Sequence, residues 1–378
     1  MDIKRYVFRK AAQKHIPASG TFELTPRCNL NCEMCYIRMS AAEEAMIGQE
    51  LTAGEWLSLG KQAVDAGMVY LLITGGEPML RKDFTDIYTA MAKMGVIMSL
   101  NTNATLVNES IVKCLVEHPP ERVNVTLYGA SADTYEKVCG NGAEYQAAFR
   151  GVHMLKDAGL PVCINTTFTR NNATDMEDII GFAKKNNIPI RMTSYLFPPV
   201  RCGREENTAC FLTPEEHGKL GAVFDSITMD NSRKQRRAEI LANISADAVA
   251  QPQESRAAKC MAGRSAFWIT WDGHMLPCGM LPRLGALLRE TSFTQIWGDF
   301  EQTMKMQMLP EKCSSCAKKI LCPVCIAVTQ SQNTVPDALC RGTLMAKRGA
   351  CKVRRGKMPI LRTAFLMQRK QRPCRINA

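Results

Sequence analysis

Short runs of β-branched and aromatic residues alternate with longer amphipathic segments from residue 21 to about residue 197. The runs predict six strands, namely Thr21 to Thr25, Met68 to Thr74, Val96 to Thr102, Arg122 to Tyr128, Pro161 to Thr169 and Ile188 to Leu196. The segments between them have helical spacing and end in the Gly or Asn typical of helix C-termini. Such units predict a parallel sheet covered by helices, either doubly wound or an incomplete barrel. In both cases ligands bind at the carboxyl ends of the strands.

Two helix starts carry specific signals. Thr52 and Glu55 have capping-box spacing, and Thr213, Pro214 and Glu216 mark a second start. The second lies in a charged segment that is expected to be a helical connector. Its RKQRR run is expected to be a solvated helix face.

Length and composition narrow the class of protein. With 378 residues the chain exceeds a typical domain of roughly 100 to 200 residues, which favours a large catalytic domain and a smaller module. No apolar run of about 18 residues occurs, so no membrane span is expected. The basic N-terminal segment lacks the apolar stretch of a secretory signal, so a cytoplasmic location is expected. Thiols stay reduced there, and 17 Cys, an odd count, favour metal binding over disulfides.

The net charge of +12 is concentrated at the C-terminus. From Ala338 to Ala378 there are twelve Lys or Arg residues and no acidic residue. The preceding residues therefore contain equal numbers of basic and acidic residues. The default interpretation is a solvated tail with one apolar face packed on its own domain. A basic amphipathic helix for an acidic partner, an anionic lipid surface or nucleic acid is the alternative.

Three cysteines follow the first predicted strand in the pattern Cys28-x3-Cys32-x2-Cys35. An iron–sulfur cluster held by four thiolates is coordinatively closed, whereas three leave one iron open to a substrate or cofactor. Sulfur ligands also suit zinc, and a zinc site completed by a distant ligand is the alternative for this triplet alone. The second strand ends in LLITGGEP, where paired glycines permit close backbone approach and Glu77 supplies an acceptor.

The two motifs together resemble the radical SAM superfamily over roughly residues 20 to 200. The resemblance implies that Cys28, Cys32 and Cys35 hold a [4Fe-4S] cluster whose open iron is chelated by S-adenosylmethionine. It also implies cofactor contacts from Gly75, Gly76, Glu77, Pro78, Asn103 and Thr126, in which Glu77 or a nearby backbone carbonyl accepts from the cofactor's amine. Met34 stands where an aromatic residue is common in the family, which loosens the expected adenine contact.

The implied chemistry is reductive cleavage of the cofactor to a 5′-deoxyadenosyl radical that abstracts hydrogen from a substrate. The cofactor carries this step, and the protein is expected to position the substrate and exclude water and oxygen. An electron donor such as flavodoxin or ferredoxin is an expected partner.

A second cysteine pattern begins at Cys260 and, taken alone, also fits two zinc sites. After a radical SAM core it resembles the SPASM domain, which carries two auxiliary iron–sulfur clusters. By that resemblance the distal cluster is closed by Cys313, Cys316, Cys322 and Cys340, and the proximal one is held by Cys260, Cys278 and Cys325. The family's usual CxxxC is CxxC here, which puts the ligand assignment at Cys322 and Cys325 in doubt.

The proximal set has three thiolates, which leaves two interpretations open. An open iron there would bind a substrate atom, or a spare thiol such as Cys202, Cys210, Cys351 or Cys374 would close the site. Cys114, Cys139 and Cys163 lie in predicted helices or strands and are expected to act as small buried hydrophobic residues.

The expected fold class is α/β, a partial (β/α)6 TIM-type barrel with a small cysteine-rich C-terminal iron–sulfur domain. The expected domains are an N-terminal extension (1–20), a radical SAM core (21–200), a helical connector (201–258), a SPASM domain (259–345) and a basic tail (346–378).

The leading hypothesis for function is a radical SAM oxidoreductase that modifies a peptide or protein side chain. Gly279 stands where sulfatase maturases have an Asp base, which speaks against that activity. Only about twenty residues precede the first strand, so leader recognition is expected from a separate protein or the basic tail. One alternative is a radical SAM enzyme for a small molecule or a tetrapyrrole side chain. A remote one is a non-catalytic metal protein that binds nucleic acid, which the lack of an aromatic-rich RNA-binding motif disfavours.

Overall fold

The structure is a computed structural model that describes residues 3–193, 196–197, 208–235, 239, 260–309 and 325–327. The basic tail and the cysteines at 202, 313, 316, 322, 340, 351 and 374 lie outside these residues. Within the described part of the chain, no helix is long and apolar enough to cross a membrane.

A nine-stranded sheet organises the described residues. Its strands are β1 (Ser19–Glu23), β2 (Tyr70–Thr74), β3 (Ile97–Thr102), β4 (Arg122–Thr126), β5 (Val162–Thr167), β6 (Ile190–Thr193), β7 (Ala266–Ile269), β8 (His274–Leu276) and β9 (Ala286–Leu287). The spatial order is β6-β5-β4-β3-β2-β1-β7-β8-β9. Strands β1 to β7 are parallel, and β8 and β9 are antiparallel to their neighbours. The six predicted strands are therefore confirmed, each within a few residues of its predicted bounds.

The helices with defined bounds lie along the same stretch. They are α1 (Ile3–Gln13), α2 (Ala41–Ile47), α3 (Ala53–Asp65), α4 (Phe84–Lys93), α5 (Glu109–Glu117), α6 (Ala132–Cys139), α7 (Glu144–Asp157), α8 (Met176–Lys185), α9 (Pro214–Thr228) and α10 (Phe293–Lys305). Both predicted helix starts are confirmed, and each has a capping box: the Thr52 side chain accepts from the Glu55 amide, and that of Thr213 accepts from the Glu216 amide. Each box satisfies helix amides that would otherwise have no partner.

One face of the sheet is apolar, and the other carries most of the polar strand residues. Alternate residues such as Phe22, Ile73, Leu100 and Val123 are fully buried in the main core, and the Phe22 ring lies 5.0 Å from that of Trp56 in α3. A doubly wound sheet buries both faces and reverses its strand order at a switch point. Here the strand order is sequential from β1 to β6 and the opposite face is polar, so the open-barrel alternative is confirmed.

Helix α1 covers the amino ends of the strands. From the sequence, its residues were expected only to form an N-terminal extension. The Phe8 ring packs edge-on against Tyr70 at 5.1 Å, and the Lys4 ammonium lies 4.3 Å from the same ring and bonds Glu121. This helix leaves the carboxyl ends of the strands free for a ligand site.

Candidate active site

The loop that carries Cys28, Cys32 and Cys35 leaves β1 and packs directly on the GGEP turn that follows β2. The Gly76 amide donates to the Thr25 carbonyl at 2.7 Å, and the Glu77 amide donates to the Arg27 carbonyl at 2.8 Å. A Cβ atom on Gly76 would lie 2.2 Å from the Arg27 carbonyl oxygen, far inside van der Waals contact. The glycines are therefore required for two loops to meet, a closer packing than the sequence alone indicated.

The three thiols lie at this junction in surroundings that suit a metal-bound thiolate. The Leu30 amide points at the Cys28 sulfur at 3.4 Å, and the Arg38 amide points at that of Cys35 at 3.3 Å. Burial raises the pKa of Cys28 well above its ordinary value, because it penalises a bare thiolate. Positive iron beside the sulfurs would offset that penalty, so the residues fit an iron–sulfur cluster.

Glu77 is fully buried and ties the GGEP turn to the end of β3. Its carboxylate accepts from the Thr102 hydroxyl at 2.9 Å, the Asn103 amide at 2.7 Å and the Met79 amide at 3.2 Å. Burial raises the pKa of Glu77 to about 7 even though these bonds act in the opposite direction. The protein itself therefore supplies three hydrogen-bond donors to the Glu77 oxygens.

Asn103 connects this turn to the first cysteine. Its side-chain amide donates to the Asn29 side-chain oxygen at 3.0 Å and lies 3.7 Å from the Cys28 sulfur. Thr105 in turn donates to the Asn103 oxygen through both its amide and its hydroxyl. The predicted residue Asn103 therefore lies at the site.

The other two predicted contact residues lie in the turn after β2 and at the end of β4. Pro78 is buried and begins a 3-10 turn (Pro78–Leu80). Thr126 is half-buried at the last position of β4, beside Asn165 of β5.

Glu50 is a site residue that sequence reasoning missed. Its carboxylate accepts from the Thr25 hydroxyl, from Arg27 at 2.9 and 3.0 Å, and from the buried Arg81 at 3.1 Å. Arg81 also donates to the Leu24 carbonyl at 3.1 Å. This ion network joins both sides of the cysteine loop to the turn. No spacing signal could have found it, since its members meet only through the fold.

Polar side chains cross the concave face at one level of the sheet. The register aligns Glu23 with Thr74, and Asn101 with Asn124. The Asn124 side chain donates to the Asn101 side-chain oxygen at 2.9 Å, and the Asn101 amide lies 3.5 Å from the Thr74 hydroxyl. We call Glu23, Thr74, Asn101 and Asn124 the polar row.

The hairpin of β7 and β8 completes the concave face. The Trp268 indole on β7 donates to the fully buried carboxylate of Glu23 at 3.0 Å. A Cβ atom on Gly279 would lie 2.8 Å from the Trp268 ring. Trp268 thus occupies the space that a longer side chain at position 279 would need.

The structure describes three of the seven predicted auxiliary ligands. Cys278 and Cys325 pack on the same small core around Leu281, and Cys325 lies near enough to Cys260 to raise the pKa of that thiol together with burial, the larger cause. These three cysteines are the ones predicted to hold the proximal cluster, and that assignment stays a prediction. Cys210, one candidate for closing it, packs in the main core instead, where burial raises its pKa to about 12 and Glu33 adds to the shift.

Two family models match the chain. The radical SAM superfamily matches residues 22–183, and an iron–sulfur cluster-binding domain, SPASM, matches residues 260–317.

Whole-chain similarity extends to named enzymes and to a solved fold. An AdoMet-dependent heme synthase of Methanosarcina barkeri is 26% identical over 334 residues, which cover 84% of this chain and 93% of that protein. A PqqA peptide cyclase of Xanthomonas euvesicatoria is 25% identical over 380 residues, covering 96% and 97%. The structure of anSMEcpe with bound AdoMet matches with a TM-score of 0.67 at 17% identity and covers 88% of this chain and 97% of that one. The chain is an enzyme of the radical SAM superfamily that uses S-adenosylmethionine and [4Fe-4S] clusters, with a partial barrel and a C-terminal SPASM domain.

Proposed function

We propose that this enzyme modifies a side chain of a peptide or protein by radical chemistry. Cys28, Cys32 and Cys35 bind the catalytic cluster, and the backbone of Gly75 to Pro78 holds the methionine part of S-adenosylmethionine. When bound, the reduced cluster would supply one electron, and cleavage of S-adenosylmethionine would then give methionine and a 5′-deoxyadenosyl radical. The protein's own residues orient the cofactor and the substrate and exclude water.

The cofactor pocket is held by contacts that are internal to the protein. Glu77 fixes the GGEP turn to β3, and Asn103 braces the sulfur of Cys28. Glu50 fixes the cysteine loop from its other side. Such bracing keeps the reacting atoms in one geometry, which is where an enzyme gains most from proximity. Thr126 contributes a hydroxyl at the adjacent strand end.

The polar row is the observation that carries the substrate class. Side-chain amides each offer one acceptor and two donors, which match the peptide bond, and the Asn101 and Asn124 side chains are half-buried on the concave face. A flat tetrapyrrole would need apolar walls, because its macrocycle buries a large apolar area. A relative named PqqA peptide cyclase, similar over nearly the whole chain, supports the same class.

A tetrapyrrole or small-molecule substrate is the second candidate function. Its support is the similarity to an AdoMet-dependent heme synthase over most of both chains. The two candidate functions differ in the role of Asn124. A peptide would form hydrogen bonds with its side-chain amide, whereas that polar group would hinder binding of a tetrapyrrole macrocycle.

The remaining assignments concern the SPASM domain and the partners. Cys260, Cys278 and Cys325 bind the proximal auxiliary cluster, and the distal ligands are the four cysteines predicted outside the described residues. A flavodoxin or ferredoxin in the cytoplasm supplies electrons.

The test begins with anaerobic reconstitution of the full chain. We expect about twelve irons per chain, as three four-iron clusters require, and 5′-deoxyadenosine when dithionite and S-adenosylmethionine are added. Peptides encoded beside the gene and a propionate-bearing tetrapyrrole are then supplied in parallel, and products are read by mass spectrometry. Modification of a peptide supports the proposal. Conversion of the tetrapyrrole alone, or no 5′-deoxyadenosine, would refute it.

An Asn124→Leu variant separates substrate binding from cofactor cleavage. We expect it to raise KM for the peptide while the uncoupled cleavage of S-adenosylmethionine stays at the parental rate. A lower KM for the tetrapyrrole in the same variant would favour the second candidate.

A further inference from the structure

Helix α1 is held against the barrel by one of its faces. Lys4, Phe8 and Ala11 lie on that face because they follow one another at helical spacing. Phe8 and Lys4 contact residues at the starts of β2 and β4, and Ala11 is buried. Just after the helix, the His15 ring stacks on that of Trp297 in α10 at 4.6 Å. The helix is therefore fixed near both ends, and its other face has a defined orientation.

The outward face of α1 combines cations with exposed apolar side chains. Ile3 and Tyr6 are 73% and 46% exposed, and Lys10 follows Tyr6 on the same face, with its ammonium 5.8 Å from the Tyr6 ring. Arg9, Lys10 and Lys14 are exposed and have no acidic partner among the described residues. Since α1 itself contains no acidic residue, this face carries an excess of positive charge.

Two more exposed apolar side chains border the helix. Val69 is 42% exposed and Ile97 is 40% exposed. Ile97 is in register with Tyr70, on which Phe8 packs, and Val69 directly precedes Tyr70. Four of the nine large apolar side chains that are exposed in the described part of the chain therefore lie at the amino ends of the strands. We call this set of residues the basal surface: Ile3, Tyr6, Arg9, Lys10, Lys14, Val69 and Ile97.

The composition of the basal surface matches a lipid surface better than a protein or a nucleic acid. Protein interfaces are depleted of charge at their apolar centre, whereas cations alternate with apolar side chains along α1. A nucleic acid would pair with the cations and leave the apolar side chains in water. At an anionic membrane, apolar side chains enter the boundary between headgroups and acyl chains while cations stay among the phosphates.

We propose that the basal surface binds the anionic lipid surface of a membrane, with Ile3 and Tyr6 at the acyl boundary and Arg9 and Lys10 among the headgroups. The protein would lie on the membrane without spanning it. The carboxyl ends of the strands, where the cysteine loop lies, would face away from the lipid and stay open to substrate. This inference goes beyond the proposed function and does not depend on it.

The test is flotation of the anaerobically reconstituted full chain with vesicles of phosphatidylcholine alone or of its equal mixture with phosphatidylglycerol. We expect binding to the mixed vesicles only. The double variant Arg9→Gln/Lys10→Gln loses two cations that each contribute about fivefold, so its partition coefficient should fall about 25-fold. Ile3→Ser keeps the charge and loses an apolar side chain, and its partition coefficient should fall about tenfold.

The matched control is Lys113→Gln/Lys219→Gln, which removes two exposed cations outside the basal surface. Its partition coefficient should change less than about twofold, because attraction to a charged surface fades within a Debye length. The basic tail is the same in every variant, so its contribution cancels in the comparison. Parental thermal unfolding of all three variants will show that each keeps the fold.

Three results would overturn the inference. The first is equal binding of the parent to both kinds of vesicle, and the second is an equal loss in the two double variants. The third is a parent that does not bind the mixed vesicles. Binding of polyglutamate or of a DNA duplex that depends on Arg9 and Lys10 would then assign the basal surface to an acidic protein or to nucleic acid instead.

Discussion

Replacement of Glu77 by Gln tests whether the buried carboxylate titrates as the structure requires. Glu77 is fully buried, and burial raises its pKa from 4.5 to about 7. Between these values the folded protein retains a proton that the unfolded chain has released. Stability from this group is therefore fully present below pH 4.5 and is lost as the pH rises through 7.

The size of the effect follows from the two pKa values. Integrated from pH 5 to pH 8, the loss in the free energy of unfolding is about 2.5 kcal/mol. This corresponds to a fall in Tm of about 5 to 10 °C for a unit of 150 to 250 residues. The glutamine side chain does not titrate, keeps an acceptor for the Asn103 amide and offers a donor to the Thr102 hydroxyl. The variant should therefore melt near the parent at pH 5 and about 5 to 10 °C above it at pH 8.

The assay is thermal unfolding of parent and Glu77→Gln at both pH values and constant ionic strength. The control for charge removal is Glu117→Gln, at an exposed position on α5. Its difference from the parent in the free energy of unfolding should change by no more than about 0.5 kcal/mol between the two pH values. If Glu77→Gln differs from the parent by the same amount at pH 5 and pH 8, the assigned pKa is wrong.

Two further substitutions test the contacts that assemble the site. Gly76→Ala places a Cβ atom 2.2 Å from a backbone oxygen and should lower the free energy of unfolding by more than about 3 kcal/mol and lower the iron content. The control, Gly181→Ala, lies at an exposed helical position with nothing within 4 Å and should instead raise the free energy of unfolding by about 0.5 to 1 kcal/mol. Equal effects of the two substitutions in thermal unfolding would refute the loop packing. Trp268→Phe removes the donor to the buried Glu23 carboxylate and should lower the free energy of unfolding by about 1.5 to 3 kcal/mol. Trp297→Phe removes a hydrogen bond to a neutral backbone carbonyl and should lower it by about 0.5 to 1.5 kcal/mol. A smaller loss in Trp268→Phe than in Trp297→Phe, measured by denaturant unfolding, would contradict the stabilising role assigned to the hydrogen bond between Trp268 and Glu23.

Local sequence determined the elements of the fold but left the type of sheet open. The strand residues repeat with a period of two, and the capping boxes at Thr52 and Thr213 mark helix starts, so these features follow from neighbours along the chain. The choice between a doubly wound sheet and an open barrel depends on which strands pair, which is a long-range property. The polar alternate positions of β3 and β4, such as Asn101 and Asn124, carried that information before the strand order was known.

The site residues likewise form two groups, those that a local pattern predicts and those that only the fold brings together. Cys28, Cys32, Cys35 and the GGEP turn were predictable because metal ligands and close-packed glycines leave a pattern along the chain. The hydrogen bonds of Asn31 with Cys139 and of Trp268 with Glu23 join residues separated by 108 and 245 positions, and nothing local marks them. Such residues are found only when the fold brings them together.

The most direct test of the central claim is production of 5′-deoxyadenosine by the anaerobically reconstituted chain and by its Cys32→Ala variant. The account predicts cleavage of S-adenosylmethionine by the parent and none by the variant, with iron falling from about twelve to about eight per chain as one four-iron cluster is lost. Full cleavage by Cys32→Ala, or a parent that binds iron but forms no 5′-deoxyadenosine, would contradict it.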